Sequence, residues 1–450
     1  MERVVVIGGD AAGMSAAAQI TRGVEPREVV VFERGEYTSF AACGLPYFVG
    51  GVVADRDDLV ARSPEQHRKN GIDVRTRHEV IAIDTEAREV EVHDLDSGTS
   101  TRERYDHLVV ATGGSPLRPP LPGIDAAGVF GIHTIPDAVR IDDMLRDRSP
   151  RRAVVVGGGY IGLEMAEAFQ LRGLEVTLVE KLPQPMSTLD VDMGARVADA
   201  MRAMGIELRL GVGVEGFATG DDGQVRAVVT ADGEVPADIV VIGLGVRPNT
   251  KLTAEAGIPI GPSGGIVTDA RMATPVDGVW AAGDCVESFH RVSRRPVSIA
   301  LGTHANKQGR VVGLNLSGSH ARFPGVIGTA ITKVGSVEIA RTGLTEREAA
   351  AAGFDAVAGT IEGASRAHYY PGGSALTVKI VAERGSGRLL GAQIVGGVEA
   401  AKRIDALAVA VWEEMTVDEF SQLDLAYAPP FSPVWDPTMI ATRKAGDKVR

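Results

Sequence analysis

Ala153-Val154-Val155-Val156-Gly157-Gly158-Gly159-Tyr160-Ile161-Gly162 decides the fold of this chain. Its apolar, valine-rich start reads as a strand covered on both faces, and the G-x-G-x-x-G after it turns that strand into a helix. The first glycine permits the tight turn, the second lets backbone approach a pyrophosphate, and the third lets the helix pack close. The helix N-terminus favours the ligand's negative charge. A helical run through Phe169 and a strand, Val176-Thr177-Leu178-Val179, closed by Glu180, complete a βαβ unit. A carboxylate at that strand end accepts from a ribose 2′-OH and repels a 2′-phosphate, so Glu180 favours NADH, while Lys181 beside it leaves NADPH possible.

Toward the N-terminus the same pattern recurs in a weaker form. Val4 to Ile7 reads as a buried strand, Gly8-Gly9-Asp10-Ala11-Ala12-Gly13 as the turn, Ala11 to Ile20 as a helix, and Val29 to Phe32 as a strand closed by Glu33. The middle glycine is missing, since Asp10 occupies its place. Glu33, twenty residues past Gly13, restores the ribose contact. Glu79 to His93 alternates like a half-exposed hairpin, Leu108 to Gly114 is another buried strand stopping at glycines, and Pro116 to Pro122 reads as a linker.

Past the deciding stretch, Val212 to Leu244 holds short strands with glycine turns. Gly265 to Ala282 returns to strands, and Val297 to Leu316 reads as a helix packed on the first unit. Beyond Phe323 the character becomes antiparallel: strands within Val326 to Leu344 and Ala375 to Val395, helices near Thr345 to Ala352 and Glu399 to Met415. The expected class is α/β, with two Rossmann-like dinucleotide-binding domains and a C-terminal α+β domain. The expected limits are 1–114 with 250–322, 115–249, and 323–450.

Net charge of −12 over 450 residues argues against broad contact with nucleic acid or an anionic membrane, while permitting a local basic pocket for a phosphorylated ligand. No apolar run is long enough for a membrane helix. Two distant cysteines, Cys43 and Cys285, offer neither a disulfide framework nor a zinc site, which points to a reducing, cytoplasmic setting. Cys285 reads as packing. Cys43 lies in Ser39-Phe40-Ala41-Ala42-Cys43-Gly44-Leu45-Pro46-Tyr47, soon after the first dinucleotide unit. A helix starting near it would present free amides that favour a thiolate.

Four separated features resemble the two-dinucleotide flavoprotein disulfide reductases over essentially the whole chain: both βαβ units with their acids, Ala111-Thr112-Gly113, and Ala282-Gly283-Asp284. The resemblance implies FAD at Gly8, Gly9, Ala11, Ala12, Gly13, Glu33, Arg34, Ala111, Thr112, Gly113 and Gly283, with Asp284 on the ribityl hydroxyls. It implies NADH or NADPH at Gly157, Gly159, Tyr160, Ile161, Gly162, Glu180 and Gly245.

The Cys43 segment is similar to that of the coenzyme A-disulfide reductase branch, which includes NADH oxidases and persulfide reductases and uses one redox cysteine. Phe48 stands where a two-cysteine reductase carries its partner, and Tyr427 to Ser432 replaces a His-x-x-x-x-Glu pair. By this resemblance Gln19, Arg22, Ser39 and Ala42 meet the substrate, Ala42 departing from the branch's asparagine. Tyr427 and one of Tyr369 and Tyr370 reach the partner subunit's site in a homodimer, where Tyr427 protonates or orients the leaving thiolate. Ala11 stands where the peroxidase branch has a histidine. Lys402 and Arg403 fit a contact for a polyanion or, more simply, a solvated helix face. The implied activity passes electrons from NAD(P)H through flavin to Cys43 and on to a small disulfide or persulfide. An NADH oxidase cycling Cys43 through sulfenic acid is the first alternative, and a flavin-bound redox sensor the second.

Overall fold

The computed structural model describes residues 1–449. Its first parallel sheet runs in the order Val279–Ala281, His107–Val110, Arg3–Ile7, Glu28–Glu33, Asp73–Thr76. Val5 lies between Val30 and Leu108 at the centre, and Val4, Val5 and Val6 are wholly buried. This two-sided burial is why the strand carries an uninterrupted apolar run. Helix Ala11–Ile20 packs against helix Gly302–Leu316, and a Cβ on Gly309 would meet the Ala12 carbonyl oxygen at 2.1 Å. Only glycine admits so close an approach.

The second parallel sheet repeats the plan: Glu207–Leu210, Glu175–Glu180, Arg152–Val156, Ile239–Ile242, Val129–Gly131. Each sheet has a three-stranded antiparallel companion. The one in the first unit comprises His78–Asp84, Glu89–Asp94 and Ser100–Arg104, one strand more than the expected hairpin. Ser-Thr-Arg-Glu-Arg has no apolar face, so alternation could not reveal that third strand. The chain crosses between units twice, at Gly114–Pro116 and Val246–Pro248, and these pair antiparallel. Thr112 Oγ1 donates to the Asn249 carbonyl at 2.8 Å and Asn249 Nδ2 to the Thr112 carbonyl at 2.9 Å, clamping the crossing.

The C-terminal sheet is antiparallel, in the order Ala330–Val334, Val337–Gly343, Leu389–Gly396, Ala375–Glu383, Ala356–Ala364. Helix Glu346–Ala352 starts at a Thr345–Glu348 capping box. The helix expected over 399–415 spans only Ile404–Trp412, because Ala401–Arg403 forms a 3₁₀ turn. Strand Ala356–Ala364 and helix Pro437–Val449 were not expected; they cover one another. Charge ties this sheet to the second unit. Lys379, 4 % exposed at its side chain, meets Asp190 at 3.2 Å, Asp192 at 2.8 Å and Glu346 at 2.5 Å. An ammonium so buried needs such partners, since removing them would cost several kcal/mol.

Candidate active site

Both glycine turns are braced by the acid of the following strand. Glu33 accepts from the Gly9 N–H at 2.7 Å and the Gly35 N–H at 2.6 Å; Glu180 accepts from Gly158 at 2.6 Å and Leu182 at 2.8 Å. Cβ atoms on Gly13 and Gly162 would each lie 1.9 Å from the carbonyl oxygen of Gly8 and Gly157. Asp10 and Gly159, equivalent in the two turns, both have negative φ (−112° and −80°), and a Cβ on Gly159 would meet nothing within 4 Å. The missing middle glycine therefore puts no strain on the backbone of the first turn. Neither residue caps its helix with a side chain, so the first-turn amides face outward for an anionic ligand.

Asp10 is drawn elsewhere. Its Oδ1 accepts from the Phe40 N–H at 3.1 Å, next to a bond from the Ser39 N–H to the Gly9 carbonyl at 3.1 Å. These two bonds fasten the Cys43 segment to the turn. Burial pushes the Asp10 carboxyl up to about 6, against the bond from Phe40.

Cys43 sits in a 3₁₀ turn, Ala42–Gly44, leading into the five-residue helix Leu45–Val49, and is exposed. Its thiol is nonetheless pushed above the ordinary value, by the packing around it and then by Glu164, Asp284 and Asp10. The expected thiolate-favouring helix end is outweighed here: so short a helix has little dipole, and the surrounding carboxylates oppose a second negative charge. Glu164 was not picked out from the sequence. It lies on helix Tyr160–Leu171, accepts from Thr332 Oγ1 of the C-terminal sheet at 3.0 Å, and has its carboxyl pushed up by burial. A carboxylate two residues past a fingerprint glycine, within the first turns of a mostly apolar helix, was the available signal. Asp284, also pushed up by burial, makes no hydrogen bond among the described residues. An unpaired, largely buried acid beside the first turn fits the hydroxyl donors of a ribityl chain, and the open amides fit a diphosphate.

Beside the segment opens a cavity of about 690 Å³, lined by Arg22, Arg62, His67 and Lys69 among others. Its wall is stitched to the Cys43 segment, Ala61 N–H donating to the Ser39 carbonyl at 2.9 Å and Ala41 N–H to the Leu59 carbonyl at 2.7 Å. Arg22, Arg62 and Lys69 have no ion-pair partner among the described residues, unusual company in a chain of net charge −12. Of the expected substrate residues only Arg22 is on the cavity lining; Ser39 and Ala42 lie in the adjoining segment, and Gln19 lies against Gly313 of the neighbouring helix.

Residues 2–309 match the pyridine nucleotide-disulphide oxidoreductase family and residues 329–438 the dimerisation domain of the same family. The chain belongs to that family. As a pyridine nucleotide-disulphide oxidoreductase it uses FAD and NAD(P)H. It is 41 % identical over 442 residues to the "NAD(P)H sulfur oxidoreductase (CoA-dependent)" of Pyrococcus abyssi, covering 98 % of this chain and 97 % of that one. Against the "NADH oxidase" of Methanocaldococcus jannaschii it is 34 % identical, with 99 % of each chain covered. The solved "NAD-Dependent Persulfide Reductase from A. fulgidus" superposes with a TM-score of 0.96 at 40 % identity, covering 99 % of this chain and 83 % of that one.

In the oxidoreductase, the three expected tyrosines lie far along the C-terminal domain and are exposed: Tyr369 by 65 %, Tyr427 by 46 %, Tyr370 by 38 %. Within one chain they are not among the groups acting on Cys43. A hydrogen bond to Tyr369 pushes the Tyr427 hydroxyl up. Cys285 is fully buried, its Sγ 3.3 Å from the Ala282 carbonyl, as packing requires. Arg403 corrects an expectation. It is not solvated: its guanidinium holds the carbonyls of Glu399, Ser365 (2.6 Å) and Phe431 (2.7 Å) and pairs with Asp436 at 3.2 Å, fixing the C-terminal tail. Lys402 stays exposed, paired with Asp405. No helix among the described residues is long and apolar enough to cross a membrane.

Proposed function

We propose that the oxidoreductase reduces a low-molecular-weight disulfide or persulfide carrying a phosphorylated arm of the coenzyme A type, at Cys43. The observation that carries this reading is an exposed thiol without a second cysteine: Cys285 is in the core and Phe48 follows where a resolving thiol would stand. The partner sulfur must then come from the substrate. The unpaired cations of the adjoining cavity supply the class of that substrate, because a polyphosphorylated ligand neutralises Arg22, Arg62 and Lys69 together.

FAD, when bound, relays two electrons from the nicotinamide to the thiol. Cys43 Sγ attacks the substrate disulfide, forming a mixed disulfide and releasing one thiolate, which takes a proton. Two electrons then cleave the mixed disulfide, freeing the second thiol and returning Cys43. In this reading Gly8, Gly9, Gly13, Glu33, Ala111, Thr112, Gly113, Gly283 and Asp284 hold FAD, while Gly157, Gly159, Tyr160, Ile161, Gly162, Glu180 and Gly245 hold NADH in preference to NADPH. Arg22, Ser39 and Ala42 face the substrate. Tyr427, with Tyr369 or Tyr370, serves the partner subunit's site in a homodimer; the exposed aromatics Phe431 (71 %) and Trp435 (53 %) beside them support an interface there. The domain limits proposed are 1–114 with 250–322, 115–249 and 323–450.

An anaerobic titration tests this. NADH reduces the enzyme, and coenzyme A disulfide, glutathione disulfide and a coenzyme A persulfide are then added. Reoxidation by the coenzyme A compounds is expected; reoxidation by none of them would refute the reading. The similarity to an NADH oxidase favours a second reading, oxygen as acceptor. Trapping of Cys43 as a sulfenic acid by dimedone during NADH-dependent oxygen consumption, with that consumption lost in Cys43→Ser, would support it over the first.

A further inference from the structure

Ser39, read above as facing the substrate, forms a polar pair with His67, a residue to which that reading gives no task. His67 is only 2 % exposed, sits on helix Pro64–Lys69 and lines the cationic cavity, and its Nε2 lies 3.0 Å from Ser39 Oγ. Ser39 is a non-glycine residue at φ +49°, a conformation that persists only where the surroundings dictate it. They do so from three directions. The Ser39 N–H goes to the Gly9 carbonyl at 3.1 Å, its carbonyl takes the Ala61 N–H at 2.9 Å, and its hydroxyl meets His67. One corner of the chain thus joins the glycine turn, the cavity wall and the Cys43 segment.

Packing alone does not account for an imidazole in this place. An apolar ring would fill the volume without the penalty of burying two ring nitrogens. Burial, and then the Arg62 charge, hold the His67 pKa below the ordinary histidine value, so the ring is neutral at neutral pH and the positive charge of the cavity comes from Arg22, Arg62 and Lys69. A neutral imidazole bonded to a hydroxyl fixes the direction of that hydroxyl. Since a serine hydroxyl offers one donor and two acceptor sites, those not used by His67 stay available to a ligand in a set orientation.

We propose that His67 is a positioning residue for substrate selection: it lines the cavity and holds the hydroxyl of Ser39, which sits one contact beyond that lining in the segment leading to Cys43, and so sets the path along which the arm between a substrate's phosphates and its sulfur runs toward Cys43. The inference rests on the reading that this cavity takes the phosphorylated part of the substrate. It concerns recognition of the arm rather than the exchange of sulfurs.

The test compares coenzyme A disulfide with cystamine, a short disulfide lacking phosphates, on the flavin-loaded enzyme and its His67→Leu, His67→Gln, Ser39→Ala and His67→Leu/Ser39→Ala variants. The wild type is expected to prefer coenzyme A disulfide. In His67→Leu that preference, the ratio of the two kcat/KM values, should fall about three- to tenfold, the worth of one positioned hydrogen bond, with the loss in KM rather than kcat. Ser39→Ala should match it, the double variant should lose no more than either single one, and His67→Gln, which keeps a polar group at similar reach, should recover most of the preference. A discriminating wild type whose His67→Leu variant discriminates equally well, or losses that add in the double variant, would overturn the inference alone. A wild type indifferent between the two disulfides would overturn the cavity reading and the inference with it. Should His67→Leu not fold, Ser39→Ala and His67→Gln carry the same test: the first must show the KM loss and the second must not.

Discussion

Glu33 and Glu180 brace their turns alike, each taking one N–H from the turn and another two residues further along the chain. What surrounds the turns differs. The first, through Gly9 and Asp10, is bonded to the segment that carries Cys43, whereas the helix leaving the second carries Glu164 and Glu167 to the C-terminal sheet, where they meet Thr332 at 3.0 Å and Lys333 at 2.5 Å. The first turn is thus bonded directly to the thiol segment, whereas the second unit receives that segment's helix Leu45–Val49 by packing, Arg172 Nε donating to the Val49 carbonyl at 2.6 Å, and sends its own helix to the dimerisation domain. The shared turn geometry is thus a binding device, and the attachments assign its role.

Separating the two roles by substitution is the most direct way to break this comparison. Cys43→Ser should cut disulfide or persulfide reduction at least about a thousandfold, while stopped-flow absorbance still records flavin reduction by NADH, because the thiol stands on one side of the relay only. Gly13→Val and Gly162→Val should then divide the cofactors. Each drives side-chain atoms into a carbonyl oxygen 1.9 Å from the Cβ position. The first is expected to yield protein without the flavin absorbance band, the second a yellow protein that NADH does not reduce; a Gly162→Val enzyme reduced normally would contradict the assignment of the turns.

Asp10 sharpens the contrast at a smaller scale. Its folded-state pKa of about 6 lies above the ordinary 3.8, so between those values the folded chain binds more protons than the unfolded one. Stability therefore falls as pH rises through that window, by on the order of 3 kcal/mol. Asp10→Asn keeps an acceptor for Phe40 without the buried charge. Urea midpoints should show it more stable than the wild type at pH 7.5, with the difference gone near pH 3.5. The smallest effect is expected at Glu164. Removing its charge in Glu164→Gln should lower the pH at which reduced Cys43 begins to react with iodoacetamide. An inflection that stays or rises would show that Glu164 does not act on the thiol.

Much of the fold was legible because buried parallel strands advertise themselves. Val4–Ile7 and Ala153–Val156 could be read directly, together with their turns and closing acids. Strand Ala356–Ala364 could not. Ala-Val-Ala-Gly-Thr-Ile-Glu-Gly-Ala has weak strand character, and Gly359 is there because helix Pro437–Val449 presses on it, a Cβ at that position lying 2.4 Å from the Ala445 nitrogen. The helix in turn is recognisable only by what it covers. Arg403 was misread for a similar reason: whether a cation is solvated depends on whether distant carbonyls converge on it, and those of Ser365 and Phe431 do.

By itself the sequence determined the two dinucleotide units, the three-part organisation and the solitude of Cys43, since each follows from local spacing or from counting. The tertiary structure decided the chemistry around that thiol. Burial of the thiol, and then carboxylates from residues 164, 284 and 10 gathering from three separate stretches, raise its pKa, where local reading expected a helix end to lower it. It also decided the cationic cavity, bringing Arg22, just past helix Ala11–Ile20, together with Arg62 and Lys69, and setting His67 against Ser39. Periodicity and motif report what neighbours in sequence must do, whereas an electrostatic environment is the sum over groups that meet only once the chain has folded.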